Sequence, residues 1–166
     1  GLGRAPVGQG GAAVNDEGAR VEVTRRGVRE ILEGKDCESG RRVFQYLPVS
    51  LVSDRWWVVE QTVNGPLMGQ TDNRVREVQW KSVETSVVTP SAQKWMDKGI
   101  SVAYTHGSWL LIDLDGTHTL VEYYTWTDPA GSIPAGLASS FAGGAISDTL
   151  AMTAKLGVSG AHCPVF

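Results

Sequence analysis

Apolar and polar positions alternate over much of residues 19–128, which is the pattern of β-strands with one buried face. The first strand-like segment is broken at Gly27 and predicts a hairpin. Residues 1–18 are rich in glycine and alanine and show neither the alternation of a strand nor the period of a helix, and they predict a flexible arm. The strand-like segments in the first half of the chain are RVEVTRRGVREILEG, RRVFQYLPVS, DRWWVVEQTV and RVREVQWKSVE.

Strand parity and turn residues give a first picture of the sheet. In RVREVQWKSVE, Val78 and Trp80 fall on one face and the polar residues between them on the other. Asp115-Gly116 lies between two apolar segments and predicts a hairpin, because glycine supplies the positive φ of a tight turn. An Asp-Pro step at 128–129 ends the returning strand, since proline cannot donate to a ladder. The expected sheet is an antiparallel meander.

The pattern changes to a helical period near the end of the chain. Ile133, Leu137, Phe141 and Ala145 recur at every fourth position, and Ser132 stands where an N-cap would. A helix of about 24 residues would span roughly 36 Å, enough to cross most of a small sheet. The run ASSFAGGA puts small residues in its middle, which permit close backbone approach or leave volume beneath them.

Composition narrows the class of protein. The chain has 166 residues, 42% of them hydrophobic, and a formal net charge of −3, which fits one globular domain. Without a dense Lys/Arg cluster, neither nucleic acid nor an anionic membrane surface is expected as the main partner. Cys37 and Cys163 are too few for a disulfide framework and are expected to be free thiols. No membrane span or signal peptide is predicted, so we expect a soluble chain and favour the cytoplasm.

Catalytic and metal-binding constellations are weak. His106, His118 and His162 lack the spacing of metal ligands, and there is no G-x-S-x-G elbow. Acidic residues fall mainly at turns or on polar strand faces, so a paired-carboxylate mechanism is not expected. We therefore expect no metal and no cofactor.

Three segments in order carry a family resemblance: FQYLPVSLVSDRWWVV, then GSWLLIDLDGTHTLVEYYTWTDPAGSIP, then a small-residue helix ending DTL. Over about residues 28–156 the chain resembles the START-like (StAR-related lipid-transfer) domains of the superfamily that includes Bet v 1 proteins and polyketide cyclases. The resemblance implies an α+β helix-grip fold, a curved antiparallel β-sheet wrapped around a long C-terminal α-helix. The domain is expected at residues 19–157, with a tail at 158–166. The family's early helix has no counterpart in the first residues and is either lost or replaced.

The resemblance also implies a hydrophobic cavity between sheet and helix that holds a lipid, sterol or polyketide-like molecule. A buried guanidinium is costly unless paired, so Arg55 is expected to meet a carboxylate or a ligand's polar end, or else to anchor a loop. On the returning strand we expect Tyr123 inside, and Tyr124 and Trp126 outside. The residues expected to line the cavity, with core packing as the alternative for each, are Arg55, Trp57, Val59, Gln61, Val78, Trp80, Tyr104, Trp109, Tyr123, Leu137, Phe141 and Ala145.

Three functions remain open at this point. The first is binding and transport of a hydrophobic small molecule, with transient membrane contact left open. The second is a polyketide cyclase or aromatase, which would set a polar group such as Arg55, Gln61 or Tyr104 against its substrate. The third is a non-catalytic interaction domain with a filled core.

Overall fold

The computed structural model describes residues 12–14, 20–24, 27–34, 40–49, 52–84, 86, 88–133, 146–155 and 157–158, with side chains from residue 27 onward. An antiparallel β-sheet dominates these residues, and short helices lie beside it. The strands are β1 (Ala12–Val14), β2 (Arg20–Thr24), β3 (Gly27–Glu33), β4 (Arg41–Leu47), β5 (Asp54–Val63), β6 (Val75–Ser82), β7 (Gly99–Ser101), β8 (Tyr104–Asp113) and β9 (Thr119–Asp128). The helices are α1 (Gly65–Gln70), α2 (Pro90–Met96) and α3 (residues 146–155).

The order of the strands in the sheet almost follows their order in the chain. The described strands lie in the order β1-β2-β3-β4-β5-β6-β8-β9, and each neighbouring pair is antiparallel. Strand β7 is the addition, and it pairs in parallel with the first three residues of β5. The predicted meander is confirmed, as is the hairpin at Gly27 between β2 and β3.

The turn between β8 and β9 forms where the Asp-Gly pair predicts it. Gly116 has a φ of 80°, in the left-handed region that glycine adopts without strain. The Asp115 carboxylate accepts hydrogen bonds from the backbone N–H groups of Thr117 and His118, at 2.9 and 2.8 Å. The Thr117 hydroxyl also donates to this carboxylate at 2.7 Å, and this bond, together with the backbone hydrogen bonds and the His118 side chain, holds the pKa of Asp115 well below its usual range. The turn thus sets the register of the hairpin.

Part of the predicted flexible arm is a strand. Ala12–Val14 pairs antiparallel with β2, whereas residues 1–11 and 15–18 lie outside the described part of the chain. A ladder is built from backbone hydrogen bonds, so a segment without alternating side chains can still join a sheet edge. Within the segment predicted as an arm, residues 12–14 are therefore an edge strand.

Cross-strand register assigns the side chains to two faces. We call the side that carries Arg55, Trp57 and Val59 of β5 the front face, and the opposite side the back face. The centre of the front face is closed, since Val43 and Val59 are both 0% exposed. The centre of the back face is closed as well, because Phe44 is 0% exposed. Strands β4 and β5 are therefore buried from both sides.

Helix α2 covers the back face over β3, β4 and β5. Its Ala92 is fully buried against that face, and Trp95 and Met96 pack around the same core. The Trp95 ring also meets the Tyr46 ring, with centroids 4.9 Å apart. The buried residues of this core are Val28, Phe44, Tyr46, Val58 and Ala92.

Thr89 ties the start of α2 to the sheet. Its side chain accepts a hydrogen bond from Ala92 N at 3.0 Å, and Pro90 fills the first turn, where a missing N–H is tolerated. The same hydroxyl donates to the Glu30 carboxylate on β3 at 2.5 Å. Glu30 is 0% exposed, so the Thr89 hydroxyl provides a hydrogen bond to one oxygen of a buried carboxylate and also caps the helix.

The predicted helix-grip fold is wrong. Within the described residues, helix at the end of the chain is confined to residues 146–155 and 157–158, and Ile133, expected to begin the long helix, is not helical. No described side chain of α3 is buried, and Met152 is 46% exposed. A helix that buries none of these side chains does not have a sheet wrapped around it. The described fold is sheet-dominated, and the helix in its core is α2.

Replacing Thr89 by alanine removes the cap of α2 and a hydrogen bond to buried Glu30. We expect Thr89→Ala to lower the free energy of unfolding by about 1–3 kcal/mol in urea denaturation. Lys94→Ala, an exposed change on the same helix, is the control and should stay within about 0.5 kcal/mol of the parent. Equal effects of the two substitutions would contradict the proposed anchoring role.

Candidate functional site

The structure brings eight of the predicted site residues to the front face. Directly paired residues of neighbouring strands share a face, so the pairs Gln61 with Trp80, Val78 with Trp109, and Trp109 with Tyr123 extend the front face from β5 to β9. The eight are Arg55, Trp57, Val59, Gln61, Val78, Trp80, Trp109 and Tyr123.

Three aromatic side chains on β6, β8 and β9 form what we call the front cluster. The rings of Trp80 and Tyr123 are stacked with centroids 5.6 Å apart, and those of Trp109 and Tyr123 are 4.4 Å apart. All three are partly exposed. Burial raises the pKa of the Tyr123 phenol, an effect that its hydrogen bond with Thr125 opposes. The cluster is a continuous aromatic surface that is still reachable from outside.

Gly107 lets the Trp80 ring lie against the backbone of β8. These two residues are cross-strand partners, and a Cβ at position 107 would clash with the Trp80 ring on one side and the Tyr124 carbonyl on the other. A glycine within a strand commonly marks such a close approach. The Gly-x-Trp pattern at 107–109 therefore has a packing cause: the glycine accommodates one ring of the cluster and Trp109 supplies another.

Polar side chains adjoin the front cluster on β4 and β5. Arg41 Nε donates to the Gln61 Oε1 at 2.8 Å, and Gln61 is the register partner of Trp80. Further along, the Trp57 indole N–H donates to Gln45 Oε1 at 2.6 Å. An apolar surface with a few fixed polar groups beside it is the usual chemistry of a small-molecule site.

Val59 lies beyond this surface. It is 0% exposed, so no space the size of a water molecule lies against it. Val59 therefore packs in the core, which was the alternative role given for each candidate residue. The part of the front face that is available to a ligand is the half formed by β6, β8 and β9, together with the partly exposed Gln61 beside it on β5.

Arg55 is buried and anchors a turn. Its Nε donates to the Pro129 carbonyl at 2.6 Å, its Nη2 to the Ala130 carbonyl at 3.0 Å, and its Nη1 to the Ser53 carbonyl. Pro129 and Ala130 follow β9, and the turn continues through Gly131 with a φ of 66°. Of the two roles considered for Arg55, the structure shows the loop anchor. Hydrogen bonds from all three guanidinium nitrogens to backbone carbonyls explain how a side chain that is 5% exposed is tolerated.

Asp54, the neighbour of Arg55, belongs to a second anchoring group on the back face. The Tyr46 phenol donates to its carboxylate, and Val49 N donates to it at 2.9 Å. Those two hydrogen bonds lower the pKa of Asp54. Burial, and then the hydrogen bond to Asp54, raise the pKa of Tyr46 to about 12. The group holds the end of β4 to the start of β5.

The structure separates Tyr104 from the other candidates. Tyr104 lies on the back face opposite Asp128, and it is 46% exposed. The expected placement of Tyr124 and Trp126 outside is confirmed, because they are 49% and 52% exposed on the same face. Sequence reasoning did not place His106 beside them, although its spacing of two from Tyr104 along one strand was a usable signal.

Several predicted features lie outside the described residues. They are Leu137, Phe141, Ala145, Cys37, Cys163 and His162. In the part of the chain that is described, no group of three or more His, Cys, Asp or Glu side chains could hold a metal ion. No helix there is long and apolar enough to cross a membrane.

Comparisons with protein-family models, curated proteins and solved structures find no match to this chain.

Gly107→Ala tests the packing of the front cluster. The new methyl group must displace both the Trp80 ring and the β9 backbone, so we expect a loss of about 1–3 kcal/mol in the free energy of unfolding. Gly69→Ala in α1 is the control, because nothing lies within 4 Å of the added methyl group. It should be neutral or stabilising by less than about 1 kcal/mol. A neutral Gly107→Ala would show that Trp80 does not lie on this glycine.

Tyr46→Phe tests the anchoring group through pH. The pKa of Asp54 is lowered from 3.8, so its contribution to stability is present above pH 3.8 and is lost as pH falls below it. The pKa of Tyr46 is raised from 10.0 to about 12, so its contribution is present below pH 10 and is lost as pH rises through 12. When melting temperature is measured as a function of pH, we expect the variant to lose less stability than the parent both below pH 3.8 and above pH 10. Parallel pH profiles would contradict this linkage.

Proposed function

We propose that the front face binds a hydrophobic small molecule whose apolar body lies on the front cluster. The observation that carries the proposal is the contact of Tyr123 with both Trp80 and Trp109 on a surface that stays partly exposed. Lipids, sterols and polyketide-like molecules share the flat or extended apolar shape that such a surface fits.

Binding energy would come mainly from apolar burial. Each Å² of apolar ring surface that the ligand covers contributes roughly 25 cal/mol to the binding free energy, before the entropic cost of ordering the ligand is subtracted. The Gln61 amide adjoins Trp80 and is held by Arg41, so it is suited to orient a polar end of the ligand. This division between an apolar body and one polar contact is typical of carriers.

The arrangement favours binding over acid–base catalysis. The three polar groups that a cyclase would use do not converge: Arg55 binds turn carbonyls, Gln61 accepts from Arg41, and Tyr104 lies on the back face. On the front face of β3 to β9, Asp113 is the one carboxylate among the described residues. It lies at the end of β8 and accepts from Gly116 N at 2.6 Å. No proton donor and acceptor pair faces the front cluster in these strands.

Consecutive tyrosines provide a matched test. Tyr123 belongs to the front cluster and Tyr124 to the back face, so each alanine substitution removes a similar side chain from opposite sides of one strand. With Nile red and a fluorescent fatty acid as probes, we expect Tyr123→Ala to weaken binding roughly tenfold. Tyr124→Ala should leave the affinity unchanged.

Native mass spectrometry of protein purified without added lipid gives the complementary result. We expect an apolar molecule to co-purify with the parent and with Tyr124→Ala, and to be depleted in Tyr123→Ala. Equal loss in both variants would place binding elsewhere. A parent protein that carries nothing and takes up neither probe would overturn the proposed function.

A further inference from the structure

A second aromatic cluster occupies the back face at β8 and β9, on the opposite side of the sheet from the proposed ligand site. We call Tyr104, His106, Tyr124 and Trp126 the back cluster. Its Tyr104, Tyr124 and Trp126 rings are 46%, 49% and 52% exposed. Side chains this large and this exposed are uncommon on the surface of a monomer, and contiguous ones mark a recognition site.

The rings of the back cluster form a corner and not a flat layer. The Tyr104 and Trp126 rings meet nearly at right angles, with an interplanar angle of 81° and centroids 4.6 Å apart. His106 lies between the others, with its ring centroid 5.3 Å from Tyr104, 5.7 Å from Tyr124 and 5.8 Å from Trp126. A ligand in this corner meets π-faces from more than one direction.

His106 is held in the cluster by ring contacts. Its Nδ1 atom is buried and has no hydrogen-bond partner among the described residues. A polar atom enclosed by rings in this way is uncommon in folded proteins. The imidazole therefore serves as a further ring of the corner, beneath the more exposed tyrosine and tryptophan side chains.

Carboxylates flank the back cluster. Asp128 is the cross-strand partner of Tyr104 and lies two residues from Trp126, and Glu122 lies two residues from Tyr124 on the same face. Among the described back-face residues of β6, β8 and β9, the lysine or arginine is Lys81, the partner of His106, and it pairs with Glu60 at 3.3 Å. With that pair balanced, the field at the rings is set by Asp128 and Glu122 and is negative.

The size and charge of the back cluster select its occupant. A stable protein interface needs about 800 Å² from each partner, which is more than the exposed parts of three rings supply. Single-stranded nucleic acid stacks on such rings only inside a positively charged groove, and here the flanking charges are acidic. A small cation satisfies both conditions, because ring faces attract positive charge.

We propose that the back cluster binds a small soluble organic cation with a methylated ammonium group. Methyl groups make the cation weakly hydrated and complementary to ring faces, whereas a primary ammonium such as that of lysine is strongly hydrated. Asp128 and Glu122 supply long-range attraction, and Trp126 supplies the strongest ring contact. The corner is open to solvent, so the expected dissociation constant is in the millimolar range. This site is independent of the front cluster.

The test uses the whole chain with ¹⁵N-labelled tryptophan and tetramethylammonium chloride as the probe, against sodium chloride at equal ionic strength. We expect one indole N–H signal, identified by its loss in Trp126→Ala, to shift saturably. Tert-butanol, a neutral molecule of similar size, should bind at least about tenfold more weakly. No saturable shift at Trp126, or equal binding of tert-butanol, would overturn the proposal.

Two further variants and one further probe sharpen the result. Tyr124→Ala should weaken tetramethylammonium binding roughly tenfold, measured by the shift of Trp126, and Tyr123→Ala should not. The double variant Glu122→Gln with Asp128→Asn should weaken tetramethylammonium binding several-fold. Added salt should also weaken binding to the parent, because it screens the attraction of these two carboxylates. Choline and phosphatidylcholine vesicles distinguish the source of the cation. Binding to vesicles without binding of free choline would overturn the assignment to a soluble ligand.

Discussion

Burial of the central strands from both sides is the constraint on which this structure depends. Val58 and Val59 are neighbours in β5 that face opposite ways, yet they are 5% and 0% exposed. A strand in this position cannot slip by one residue, because every apolar side chain would change faces. Its register then propagates through β6 to β8 and β9, so the position of each aromatic residue on the far side of the sheet follows from the packing of β4 and β5.

That register explains how one hairpin carries two separate aromatic surfaces. Tyr123 and Tyr124 are adjacent in sequence but lie on opposite faces, one in contact with tryptophans and the other beside His106. The front cluster has polar amides beside it, whereas carboxylates flank the back cluster. Two surfaces with similar rings are therefore expected to bind different chemistry, a hydrophobic molecule on the front face and a cation on the back face.

Buried polar groups in this fold act as anchors. Arg55 fixes the turn after β9, the pair of Tyr46 and Asp54 joins β4 to β5, and Glu30 meets the cap of α2. Each of these groups links segments that are apart in the chain. Burying them unpaired would be costly, so these hydrogen bonds favour one arrangement of the segments over alternatives of similar hydrophobic burial.

Local sequence pattern was enough to predict the period of the strands and the hairpins at Gly27 and Asp115-Gly116, because these depend on neighbours within a few residues. Tertiary structure alone decided which helix covers the sheet, where the Arg55 guanidinium binds and on which face Tyr104 lies. The spacing of apolar residues from Ile133 onward is a local property of the sequence. It cannot show whether a helix in that segment packs on the sheet. Tyr104 follows a break between β7 and β8, two strands with different partners, so parity could not be counted across it. Partners distant in the chain are chosen by packing and hydrogen bonding, which no local pattern contains.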